Sequence, residues 1–284
     1  MFLLRCRRPS SATERTTETT ETTETTETTE TIADLPMIDE QSQLTFAPWI
    51  KRSPGQTSGG ATVVFPHAGG AAAAYRALAT ALAAGGDDVY VVQYPQRADR
   101  LTHPAPETVE ELAAQLFDAG DWNRLGPLKL FGHCMGAVIA FEFARVAENR
   151  GADVARLWVS ASQAPSTIAT SPRLPTADTE VIANMVDLGG TDERLLADED
   201  FVDLLVRAVR ADYLAFNRYS CDDDVQLRAD IHTVGGRDDH RISEDMLRAW
   251  ATHAGGAFTL SLFDGGHFYL NDHIDAVAEL VNNV

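Results

Sequence analysis

The chain has 284 residues and a formal net charge of −19. Its 44% hydrophobic content suffices for a sizeable core, and its acidity excludes a nucleic-acid backbone as partner, because that surface requires clustered Lys and Arg. Three cysteines (Cys6, Cys134, Cys221), with no C-x-x-C pair and no zinc-type His/Cys spacing, argue against a disulfide framework or metal site and for a reducing cytoplasm.

The N-terminal stretch MFLLRCRRPS has only three consecutive apolar residues before Arg5, so no secretory segment is expected there. No apolar run in the chain approaches the ~20 residues of a membrane span. Residues 16–30 are TTE repeated five times. With nothing to bury, residues 1–43 are expected to form a disordered tail. Residues 44–284 then make one large domain, with its folded part beginning near residues 44–49.

From there apolar strands alternate with helical patterns. Strands are expected at 61–67, 88–95, 128–133, 155–162, 229–236 and 257–266, and helices at 71–84, 107–124, 135–149 and 273–284. This rhythm predicts an α/β fold with a parallel sheet covered on both faces. Residues 165–220 break it. They contain no convincing strand and carry helical patterns, as in Phe201, Leu204, Leu205 and Val209. A helical insertion between two strands is a candidate lid, or else an extra packing layer.

Four segments carry chemistry. GHCMG (132–136) lies between a strand and a helix and has the nucleophile-elbow pattern G-x-S-x-G with Cys134 in place of Ser. A nucleophile on so sharp a turn requires small residues two positions away on each side. The turn also brings the next backbone N–H, that of Met135, beside the reacting carbonyl. PHAGG (66–70) follows the first confident strand, and its Ala68 N–H is a candidate second oxyanion donor. GGRDD (235–239) ends a strand with a carboxylate that can fix a histidine tautomer. GGHF (265–268) follows the last strand and supplies His267. The order nucleophile, acid, histidine is that of the α/β-hydrolase fold. Of the eight histidines, His133, His253 and His273 read as structural or surface residues, and His67 as a residue of the pocket mouth.

PHAGG (66–70), VVQYPQRADR (91–100), FGHCMGAVIAFE (131–142), GGRDD and GGHFYL (265–270) together resemble the type II thioesterases that accompany polyketide and nonribosomal peptide synthetases. The resemblance spans about 44–284. It implies an α/β-hydrolase domain with a helical lid at about 165–220. It also implies an acyl or peptidyl carrier protein as partner, and phosphopantetheine brought by the substrate, with no cofactor or metal of the enzyme's own. In the family the acid follows a G-x-x-D pattern, which selects Asp239 and keeps Asp238 as a rival. The catalytic set is then Cys134, Asp239 and His267, with Met135 and Ala68 as oxyanion donors.

Two departures stand out. Gln96 occupies a position where the family usually has Gly, and Cys134 stands where it usually has Ser. With Cys the covalent intermediate is a thioester, so return of the acyl group to a pantetheine thiol is nearly isoenergetic. Hydrolysis by water is the leading expectation. Transfer of an acyl or aminoacyl group between carriers, as in related cysteine enzymes, is the alternative, and a non-catalytic carrier-binding protein is the rival from another class. A Cys substituted for Ser to trap an intermediate would also account for the elbow. A dienelactone-hydrolase-like enzyme also has a Cys elbow, but PHAGG and QYP set this chain apart from it.

Overall fold

The computed structural model describes residues 46, 48–57, 59–190 and 198–283, apart from the side chain of residue 199. The tail expected at residues 1–43 lies outside the described residues. Seven strands form one sheet: β1 (Ile50–Ser53), β2 (Ala61–Phe65), β3 (Asp88–Val92), β4 (Leu128–His133), β5 (Val154–Ser160), β6 (Asp230–Gly236) and β7 (Phe258–Phe263). Their order is β1-β3-β2-β4-β5-β6-β7, with β1 antiparallel to β3 and every other pair parallel. Six of the strands match the expected apolar runs. The edge strand β1 was not expected, because IKRS is short and polar and is buried at neither central position.

The central strands form because β-branched and aromatic runs bury both faces of the pleat. All five residues of β2 are buried. Its Val63 and Phe65 pack with helices α2 (Val109–Asp118) and α3 (Met135–Asn149), whereas Val64 faces α1 (Arg76–Ala83) and α7 (Ile274–Asn283). The sheet is thus sandwiched between two helical layers, the arrangement of an α/β-hydrolase. No helix among the described residues is long and apolar enough to cross a membrane.

Between β5 and β6 the regular elements among the described residues are helical: a 3₁₀ turn at Pro165–Thr170, then α4 (Asp178–Leu188) and α5 (Glu199–Asn217). Val181 and Met185 of α4 pack on Val206, Val209 and Tyr213 of α5, giving the insertion a small core of its own. Helix α6 (Glu244–Arg248) follows β6.

Strand order fixes where chemistry can occur. The chain leaves β2 for β3 on one side and returns to β4 on the other, so the loops after β2 and β4 diverge at a switch point of the sheet. Phe65 pairs with Gly132, which puts residues 66–70 beside residues 134–136. Gly236 pairs with Phe263, which likewise brings together the loops carrying Asp239 and His267.

Candidate active site

Cys134 sits between β4 and the first turn of α3 with φ 56° and ψ −125°, backbone angles that residues with a Cβ avoid. The turn is held by the Cys134 N–H donating to the Ser160 carbonyl (2.8 Å) and by the Ala137 N–H donating to the Cys134 carbonyl (3.0 Å). Both flanking glycines are sterically required. A Cβ on Gly132 would lie 2.4 Å from the Ala137 Cα, and one on Gly136 would lie 2.1 Å from the Phe65 carbonyl oxygen. The motif spacing therefore follows from two close backbone approaches, one within the elbow and one to the neighbouring strand end.

His267 and Asp239 meet beside this turn. His267 Nδ1 lies 2.8 Å from Asp239 Oδ2, and both side chains are almost wholly buried. Asp239 Oδ1 accepts the backbone N–H groups of Arg241 (2.8 Å) and Ile242 (3.1 Å), which fixes the carboxylate plane. Asp238, the rival acid, is not at the histidine; its backbone N–H donates to the Gly265 carbonyl (2.9 Å). His267 Nε2 is buried and meets no conventional hydrogen-bond acceptor, and its electrostatic neighbour is the thiol of Cys134. Burial alone would lower the His267 pKa. The Cys134 charge and the Asp239 hydrogen bond outweigh it and push the pKa up to about 10. Burial pushes Asp239 the other way, but the bond from His267 and the two amides hold it below the usual carboxylate range.

The expected oxyanion donors lie on the two loops that the Phe65–Gly132 pairing brings together. The N–H of Met135 opens α3, so no earlier turn can accept it. The loop after β2 has three of its four amides tied down: His67 N–H to Tyr75 Oη (3.1 Å), Gly69 N–H to Asp212 Oδ2 (2.7 Å) and Gly70 N–H to the His67 carbonyl (2.9 Å). Among the described residues the Ala68 N–H has no such partner.

The family-like stretch at 91–100 proves to be the scaffold of that loop. Tyr94 Oη donates to the Pro66 carbonyl (3.2 Å), and Gln93 Oε1 accepts the Ala72 N–H (3.1 Å). Arg97 is buried and ion-paired with Asp212 of α5. Arg100 donates to the Gln93 carbonyl (2.9 Å) and stacks 3.6 Å above the Trp49 ring. Sequence reasoning quoted the motif without these roles, and it missed Asp212 altogether. A signal was present: Leu205, Val209, Asp212 and Phe216 fall on one helical stripe, and an aspartate on such a stripe needs a partner.

The other histidines are arranged around the triad. His133 is fully buried; its Nδ1 lies 2.8 Å from Ser160 Oγ, which in turn lies 2.7 Å from Tyr269 Oη. Burial and the nearby His267 hold His133 well below its ordinary pKa. His67 is pushed down to about 3 by burial, then by the charges of His267 and Arg97. The pocket-mouth reading of His67 is corrected: its ring packs on Phe268 (centroids 4.9 Å apart), its Nδ1 lies 2.7 Å from Tyr75 Oη, and it does not line the cavity. His253 is buried against the Val225 carbonyl, and His273 meets the Asp264 carbonyl, so both are structural.

A cavity of about 330 Å³ opens from Cys134 and His267. Its lining includes Leu174, Leu188, Tyr213, Phe216, Ile242 and Met246, so it is mainly apolar. The lining guanidinium, Arg241, is held by Asp187 Oδ2 (2.5 Å) and Asn184 Oδ1 (2.8 Å), both on α4.

The Thioesterase domain family matches residues 62–284. The chain is 62% identical over 251 residues to phenyloxazoline synthase MbtB of Mycobacterium tuberculosis, covering 88% of this chain but only 18% of that protein. It is 36% identical over 239 residues to thioesterase PikA5 of Streptomyces venezuelae, covering 83% of this chain and 85% of that one. Among solved structures, the type II thioesterase BorB from the borrelidin biosynthetic cluster superposes with a TM-score of 0.71 at 38% identity, over 83% of this chain and 96% of that one. YbtT, a type II thioesterase from the yersiniabactin NRPS/PKS pathway, superposes at 0.72 and 26% identity, over 83% and 97%. A family match across most of the chain, joined to this elbow and this sheet order, means that the chain belongs to the thioesterase domain family.

Proposed function

We propose that the chain releases acyl groups held as phosphopantetheine thioesters on a carrier protein of a polyketide or nonribosomal peptide synthetase, through an acyl-Cys134 intermediate. The observation that carries this reading is the convergence of a strained elbow thiol and the buried His267–Asp239 pair on one apolar cavity, with the Met135 amide opening α3 beside the thiol. The names borne by PikA5, BorB and YbtT support the reaction class, and the match to a stretch of a synthase supports a synthetase context.

The Sγ of Cys134 attacks the thioester carbonyl while His267 takes or already holds its proton. Charge gathers on the carbonyl oxygen, where the Met135 and Ala68 N–H groups stabilise it; loss of one such donor typically costs about 3–4 kcal/mol. The carbon–sulfur bond to pantetheine breaks and the departing thiolate takes the proton from His267. Water, deprotonated by His267, then attacks the acyl-Cys134, giving the free acid and restoring the thiol. Asp239 holds the imidazole in the orientation that both steps use. Helices α4 and α5 cover the acyl cavity, to which they give Asn184, Leu188, Tyr213 and Phe216. A thiol nucleophile suits the reducing cytoplasm, where we place the reaction.

The thiol also favours a second reading. Because acyl-Cys134 is itself a thioester, a second carrier thiol can replace water at little cost in free energy. One experiment separates the two. A carrier loaded with an acyl group is offered together with an empty pantetheinylated carrier, and the products and the digested protein are weighed by mass spectrometry. We expect acyl mass on Cys134 and accumulation of free acid; charging of the second carrier would make transfer the main activity. Acyl mass on Cys221 with Cys134 unmodified would overturn the assignment.

A further inference from the structure

We propose that Asp212 is a positioning residue for the oxyanion site: anchored by Arg97, it fixes the Gly69 amide and so aims the Ala68 N–H at the carbonyl attacked by Cys134. Helix α5 would then complete the reacting site as well as cover it. This rests on the role given above to Ala68.

Three observations converge. The Asp212 carboxylate accepts the Gly69 N–H at 2.7 Å, and the same oxygen is ion-paired with Arg97, both side chains being at least nine-tenths buried. Gly69 has φ +76°, and a Cβ there would lie 2.4 Å from Val209 Cγ2, so α5 is packed directly onto the loop. Within 67–70 the amides on either side of Ala68 are bonded into the protein, and the Ala68 N–H is left over. Holding the Gly69 N–H fixes the Gly69 end of the residue whose other peptide carries the donor. With both neighbouring peptide planes pinned, the Ala68 N–H has little freedom to turn away.

The pair also explains itself energetically. A lone buried carboxylate would be costly, and burial does raise the Asp212 carboxyl, against the opposing pull of Arg97 and the Gly69 amide. Two charges from distant parts of the chain, spent on one backbone N–H, make sense if that N–H must not move. The chain distance also makes the contact a coupling: α5 lies in the insertion, Arg97 in the loop after β3, and Gly69 in the loop after β2.

The test compares two chemistries at one sulfur. Thioester acylation of Cys134 needs an oxyanion donor. Alkylation by iodoacetamide does not, because the sulfur displaces iodide from a saturated carbon and no carbonyl oxygen gathers charge. Asp212→Asn strands the Arg97 charge, which threatens the fold, so it is paired with the double variant Arg97→Met/Asp212→Leu, which removes both charges. In whichever variant keeps a cooperative melting transition, acylation by propionyl-pantetheine should fall on the order of 100-fold through kcat, while alkylation stays within about twofold. Acylation at the wild-type rate would overturn the proposal, and so would an equal fall in both reactions. Failure of the wild-type protein to become acylated at all would instead defeat the function proposed above, so the two failures are distinguishable.

Discussion

His267 is under opposed pressures, and the outcome can be measured. Burial disfavours the imidazolium, while the Cys134 charge and the Asp239 bond favour it more strongly, so its pKa rises from an ordinary 6.5 to about 10. A raised pKa contributes stability that is fully present below the ordinary value and is lost as pH climbs through about 10. Asp239 acts in the opposite sense. Its carboxyl is lowered, so its contribution is present above the ordinary 3.8 and is lost as pH falls through the lowered value. Replacing Asp239 by Asn keeps the shape and removes the charge that helps hold the proton. In Asp239→Asn the His267 imidazole should therefore titrate at a pH below about 10, and the alkaline limb of thioester cleavage should move down with it. Histidine-labelled protein followed by NMR across the titration reports the midpoint directly. An unchanged midpoint would mean that the Cys134 charge, and not Asp239, holds the proton on His267.

At the scale of elements, what was legible in the sequence is what short-range physics writes there. The strand preceding GHCMG and the helix following it are locally patterned, and the two glycines are demanded by contacts within a few residues or across one strand pair. The order Cys134, Asp239, His267 is readable because parallel strands deliver their loops to the same end of the sheet. The edge strand β1 and the short α6 were not legible, being too short to show a period. The work of the loop at 93–100 was hidden for another reason: its partners lie on β2's loop and on α5, far away in sequence. That loop carries a local cost. Gln96 has φ 64°, in the left-handed region, and its Oε1 is buried without a partner. A non-glycine residue there is destabilised by roughly 1–2 kcal/mol, and glycine gives back about 0.5–1 through backbone entropy. Gln96→Gly should therefore stabilise the protein by up to about 1 kcal/mol, the more so because it removes an orphaned acceptor. Urea denaturation measures this, and a lower midpoint at unchanged slope would show that the Gln96 side chain makes a compensating contribution.

The whole molecule is strongly acidic, at −19, yet its cavity is not. The lining comes from the elbow, the strand end at 161–163, the turn region at 171–174, α4, α5, the loop at 240–242, Met246 of α6 and His267. No single stretch of sequence announces such a surface, which is why the acyl group could not be read from motifs. Among the described lining residues there is no Asp or Glu; Arg241 is the permanently cationic side chain, and the polar groups are amides, hydroxyls, His240 and the Cys134–His267 pair itself. An acyl group with a free α-ammonium would have to shed water into this cavity with no carboxylate to receive it and a guanidinium near by, whereas an uncharged acyl group gains from the apolar wall. Neutral acyl thioesters should therefore be the better substrates. The comparison that isolates charge from size is alanyl-pantetheine against N-acetylalanyl-pantetheine, the second being larger but uncharged. We expect the acetylated compound to be cleaved on the order of tenfold faster in kcat/KM, a modest share of the cost of an unpaired buried charge because the cavity is open to water. Removing Arg241 by Arg241→Gln should narrow the gap by relieving repulsion of the ammonium. If alanyl-pantetheine is cleaved faster than its acetylated form, the cavity selects for the ammonium through groups other than these, and the chain belongs with the aminoacyl-handling cysteine enzymes.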